Sequence, residues 1–130
     1  MVIDGIKLTF WVPEDKVLIG GDITVDEITP NFRDANVKLW IQTLDEVQAM
    51  QAKTIIPGHG PLMTPADVAQ LHQRMARLYA GIEAGYKAGL SDGETRKKLD
   101  LAKWKPLHHF AEQMGGNINK AYLEIEAAAF

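Results

Sequence analysis

The chain has 130 residues, 46% of them hydrophobic and 24% charged, with a formal net charge of −3 and no cysteine. A length of this order supports one domain with a modest core. The lack of cysteine excludes disulfides, thiolate metal ligands and a cysteine nucleophile. The acidic balance gives no electrostatic footprint for nucleic acid or an anionic membrane, and no apolar run reaches spanning length.

In chain order, Ile6-Lys7-Leu8-Thr9-Phe10-Trp11-Val12 alternates as a strand. Ile6, Leu8, Phe10 and Val12 share one face, and Lys7, Thr9 and Trp11 the other. Pro13 to Lys16 reads as a type I turn, and Val17-Leu18-Ile19 as the returning strand. Gly20-Gly21-Asp22 ends that strand in a glycine turn with a carboxylate at its tip. The stretch from Thr24 to Asn36 is a polar loop. From Val37 the period becomes helical, with Val37, Trp40, Ile41, Leu44, Val47 and Met50 on one face.

Thr54-Ile55-Ile56 suits a short buried strand that Pro57 should end, because proline lacks the N–H a ladder needs. Gly58-His59-Gly60 then presents one imidazole between two residues without Cβ atoms. Thr64-Pro65-Ala66-Asp67 is a helix start, and the apolar stripe that follows runs from Val68 to about Gly89. His72 lies beside that stripe and reads as structural. Ser91-Asp92-Gly93-Glu94 is a capping box for a short helix through Leu99. Ser91 is the chain's one serine. Engaged as a cap, it leaves no free serine nucleophile.

Trp104-Lys105-Pro106 precedes a final helix expected from about Leu107 to Ala128, which Gly115-Gly116 should kink or divide. His108 and His109, as adjacent helical positions, would point about 100° apart and could not readily serve one ion.

Two strand ends, each finishing in glycine and a metal-competent side chain, suit a borderline divalent ion such as zinc. This pairing resembles the metallo-β-lactamase fold superfamily of metal-dependent hydrolases. The "GD" of Gly21-Asp22 and the "PGHG" of Pro57 to Gly60 carry the resemblance, and the run from Trp11 to Leu18 supports it. It implies a mixed α/β (α+β) fold in which residues 1–130 form the C-terminal half of an αββα sandwich. Asp22 would bridge two metals and His59 would ligate one of them, as metal and catalytic residues. A hydroxide held by Zn2+ or another divalent transition metal would hydrolyse an ester, amide or thioester of a small-molecule substrate.

The H-x-H-x-D-H signature of the family's other half is missing, and no histidine precedes His59. Two ligands hold an ion weakly, so the expected site is partial unless neighbouring subunits complete it. A lone half also leaves an apolar sheet face without its partner sheet. The expectation is therefore a homo-oligomer, most simply a two-fold dimer. With no leader legible at Met1-Val2-Ile3-Asp4, a cytoplasmic protein without nucleic-acid or membrane partners is expected. The alternative reading is a non-catalytic half-domain that binds or supports without turnover.

Overall fold

The computed structural model describes residues 10–130 throughout and, of the first nine, the backbone of Val2–Ile3 and Lys7–Leu8. The elements run β1 (Val2–Ile3), β2 (Lys7–Leu8), β3 (Phe10–Val12), β4 (Val17–Val25), α1 (Val37–Ala49) and β5 (Thr54–His59). Three helices follow: α2 (Pro65–Lys87), α3 (Asp92–Lys98) and α4 (Phe110–Ala128). The class is mixed α and β, as the sequence implies.

β3, β4 and β5 form one sheet in that order, while β1 and β2 pair separately. β3 and β4 are an antiparallel hairpin, Val12 opposite Val17, closed over four residues with Lys16 in the left-handed region at φ 51°. A four-residue hairpin loop built on a type I turn places its last residue there. β4 and β5 are parallel. Parallel neighbours need a crossover, and α1 supplies it.

The register sorts the sheet's side chains into two rows. Trp11, Leu18 and Ile55 align across the strands. Leu18 and Ile55 are buried and Trp11 packs against the same core, which the helices complete with Val68, Met75, Ile82, Met114 and Ile118. Phe10, Ile19 and Ile56 align on the opposite face and are 54%, 38% and 38% exposed. The expected pattern is thus inverted at Trp11, which faces the core although the alternation put it on the polar side. The hydrophobic effect on an indole outweighs its place in the pattern. The face bearing Phe10 is the open one. The side chains of Ile6 and Leu8, assigned to that same face, lie outside the described residues.

Pro57 does not end its strand: β5 runs on to His59. β5 is an edge of this sheet, and Ile55, two residues earlier, turns its N–H and C=O away from β4 to bond Met63 at 3.0 and 2.8 Å. Pro57 shares that parity, so its missing N–H falls on the side where β4 asks for no donor. β4 likewise continues past Asp22 to Val25, with register irregularities on both sides of Gly21.

The helix starts follow local chemistry. Thr64 and Ser91 each complete a capping box, with Asp67 and Glu94 returning the bond. Asn36 caps α1 through its side chain to the Leu39 N–H at 3.0 Å. α4 begins at Phe110 rather than Leu107 and passes through Gly115 and Gly116 as one helix. A Cβ on Gly115 would lie 2.8 Å from Arg96 Nη1, so this glycine makes room for α3 and does not interrupt α4.

α4 also fastens the segment that leads into α1. Asn117, 2% exposed, donates from Nδ2 to the Pro30 carbonyl at 2.6 Å and accepts the Phe32 N–H at 3.0 Å. Glu124 accepts the N–H groups of Val37 and Lys38 at 2.9 and 3.1 Å. Lys120 donates to the Ala35 carbonyl at 2.7 Å. The donors orphaned at the start of α1 are thereby met by a carboxylate from another helix, where the helix dipole favours it. No helix among the described residues is long and apolar enough to cross a membrane.

Candidate metal and substrate site

Asp22 and His59 converge. His59 Nε2 stands 3.8 Å from Asp22 Oδ1, with both side chains more than half exposed. The approach depends on glycine. A Cβ on Gly58 would lie 2.7 Å from Asp22 Oδ1 and 2.8 Å from the Gly21 carbonyl carbon, so Asp22 lies directly over a residue with no side chain. Gly60, at φ 97°, turns the chain after His59 against the Asp26 carbonyl, where a Cβ would collide. The strand ends are tied by the Asp26 N–H to the His59 carbonyl at 3.1 Å. Burial raises the pKa of the Asp26 carboxyl from its ordinary value, opposed by the Glu27 N–H that it accepts at 3.0 Å.

A spacing of 3.8 Å lets a carboxylate oxygen and an imidazole nitrogen reach one ion, since zinc–ligand bonds to these atoms run about 2.0–2.2 Å. The donor chemistry therefore fits a borderline divalent metal. The fit is partial: among the described residues no group of three or more histidines, aspartates and glutamates is placed to hold an ion together.

The pair opens onto a cavity of about 310 Å³. Ile23, Val25, Ile28, Pro30 and Trp40 supply an apolar wall. Trp40 is held by its indole N–H to the Ile23 carbonyl at 2.9 Å and meets Phe32 edge-on at 5.9 Å. Thr29 also lines this space; its Oγ1 is buried and has no hydrogen-bond partner among the described residues.

His109 lines the same cavity. It does not sit within α4 beside His108, as the helical spacing implied. Both residues precede the helix. His108 forms a parallel bridge with Ile28, its N–H donating to the Glu27 carbonyl at 3.0 Å and its carbonyl accepting from Thr29 at 2.9 Å. His109 then occupies the helix N-cap at φ 64° and ψ 17° without a side-chain cap bond. A residue that carries a Cβ pays about 1 kcal/mol or more in the left-handed region. Glu27, across the bridge, is left-handed too at φ 62°. The sequence carried no local signal for this, because the strain is imposed by pairing between residues some eighty positions apart.

His72 is structural, as expected. Its Nε2 lies 2.8 Å from Asp45 Oδ1, off the hydrogen-bonding direction, joining α2 to α1.

No family model matches the chain. Two curated proteins match it in part. One is a metallo-beta-lactamase type 2 from Bacteroides fragilis, 36% identical over 59 residues, covering 42% of this chain and 24% of that protein. The other is a linear primary-alkylsulfatase from Pseudomonas sp. (strain ATCC 19151), 29% identical over 79 residues, covering 55% of this chain and 15% of that protein. The chain thus spans a quarter or less of the length of these relatives.

Proposed function

We propose that this chain carries the substrate-facing half of a metal-dependent hydrolase site of the metallo-β-lactamase fold. The carrying observation is the Asp22–His59 convergence over Gly58 at the mouth of a cavity. The two partial likenesses to a metallo-beta-lactamase and an alkylsulfatase support it. Asp22 and His59 would hold Zn2+ or a similar divalent ion. Such an ion supplies a Lewis acid for water and for the bond being cleaved. The chain's own residues orient the substrate. The wall of Ile28, Pro30 and Trp40 takes an apolar group, His109 stands on the rim, and the Asp22 carboxylate can orient water beside the ion. The substrate class is a small ester, amide or thioester.

Two donors make a weak site, and a second copy of the chain can supply more. The exposed row of Phe10, Ile19 and Ile56 favours a dimer through the open sheet face, because an apolar row on a pleated surface is best buried against its own symmetry mate. Light scattering is expected to give a dimer for the native chain and a monomer for Ile19→Lys.

Elemental analysis tests the reading. About one divalent ion per chain is expected, lost together with esterase activity in both His59→Ala and Asp22→Ala. The competing reading, a half-domain without turnover, is favoured by the two-donor count among the described residues. Metal-free protein whose stability ignores chelator would establish it.

A further inference from the structure

A second groove, of about 830 Å³, shares no residue with the first and has no part in the proposed function. Its walls carry Arg74 and Arg77 from α2, Lys98 from the end of α3 and Lys103 from the connector before α4, against a single carboxylate, Asp100. On a chain of net charge −3, a local excess of three positive charges is a concentration and not a reflection of composition. Among the described residues none of these four cations forms an ion pair, although Arg74 acts on Asp26 at longer range. Asp100 accepts the Ala102 N–H through one oxygen at 3.0 Å and keeps its charge, which the count of three includes.

Arg74 supplies a further indication. It is half-buried, and its Nε is sealed from solvent without any hydrogen-bond partner among the described residues. Such a group is ordinarily neutralised by an internal acceptor. Arg74 and Arg77 stand one helical turn apart, so both guanidinium groups address the same space. Cations gathered around a concave surface repel one another, and an anion of high charge density relieves that repulsion. Guanidinium pairs match phosphate oxygens two at a time. Half-buried Leu99 lines the groove with the edges of the buried Leu78 and Trp104, so the floor beside the charges is apolar.

We propose that this groove binds a small molecule bearing two or more adjacent phosphate groups. A small ligand is favoured over a nucleic-acid strand. A strand carries one phosphate per nucleotide along its whole length and would run beyond the groove onto an acidic chain. The shared chemistry has two sources, inorganic diphosphate and a nucleoside diphosphate, which the apolar lining can distinguish.

The test is calorimetric titration of the full chain, stripped of metal so that phosphates cannot act through an ion at Asp22 and His59. Pyrophosphate and ADP are the probes, with sulfate and a short oligothymidylate as comparisons. Saturable one-site binding is expected, with NMR shifts at the Arg74 and Arg77 side chains. The exposed pair Lys98→Gln/Lys103→Gln should weaken it about tenfold, and Arg74→Gln/Arg77→Gln more, while Arg33→Gln changes nothing. Tighter binding of ADP assigns the apolar lining to a nucleoside; equal or tighter binding of pyrophosphate assigns the site to the phosphates alone. The proposal falls if neither probe saturates or if sulfate binds as tightly. It also falls if Arg33→Gln weakens binding equally, or if the oligonucleotide binds better than both.

Discussion

The helical layer and the rim of the cavity are built by opposite means. α2 and α3 start at complete capping boxes, where a residue and its neighbour three positions on satisfy each other. The rim holds Glu27 and His109 in left-handed backbone, and α4 starts there without a side-chain cap. The helical layer is stable by local agreement. The rim is held in a costly shape by distant partners, chiefly the bridge from Ile28 to His108 and the side chains of α4. Strain of this kind gathers where a structure positions groups for a purpose other than stability.

If the rim is held from a distance, removing its fastenings should cost most. Asn117→Ala is expected to destabilise the chain by about 2–3 kcal/mol, because it opens a small cavity and strands the Pro30 carbonyl and the Phe32 N–H. Urea unfolding measures the loss, and amide exchange at Phe32 should rise more than at Val68. Gly58→Ala should cost about 1–2 kcal/mol through overpacking, since the colliding atoms include the Gly21 backbone. It should also displace Asp22 and reduce metal retention more than its stability loss explains, as equilibrium dialysis would read. Equal retention at reduced stability would break the link between the glycine and the site.

His109→Gly sharpens the comparison through its sign. Glycine accepts φ 64° without a Cβ penalty but adds freedom to the unfolded chain, so a gain of about 0.5 kcal/mol is expected. Affinity for a substrate-like ester should fall at the same time. A variant that is less stable would show that His109 is held for packing. The smallest effect concerns pH. The carboxyls of Asp92 and Glu94 are held below their ordinary values, Asp92 by the Asn119 side chain and Glu94 by the Ser91 N–H. Their contribution is present above the ordinary carboxylate range and disappears as pH falls through their lowered folded values. Burial raises Asp26 instead, so its proton favours the folded chain on the acid side and that gain fades as pH rises through its folded value. NMR at falling pH should show the 2.8 Å Asn119–Asp92 contact loosening while the Asp26 region stays ordered.

The same contrast explains what could be read from the residues. Thr64, Ser91, the span of α1 and most of α2 follow from spacings of three and four residues, and the structure has them nearly where the periodicity put them. Asp22 and His59 are legible as candidates because a glycine precedes each; Gly21-Asp22 lies within β4 and not at a turn, yet the two side chains come within 3.8 Å of each other. Trp11 and Phe10 exchanged faces because alternation shows that two faces differ without showing which one the helices will cover. Pro57 stays in its strand because β5 is an edge, a fact of sheet order. His109 is misplaced within the helix and Asn117 goes unread for one reason: their positions are set by contacts across about 80 residues or more, which no local pattern encodes.

The clasp of Asn117, Lys120 and Glu124 on residues 30–38 also predicts an order of events in time. The hairpin and the caps of α2 and α3 involve near neighbours and can settle as soon as their own residues are free to move. The loop walling the cavity waits for a helix made long after it, because closing so wide a separation is slow. During synthesis the two candidate ligands would therefore stand beside an unfinished chamber, and the entrance would take its shape only when the last helix docks.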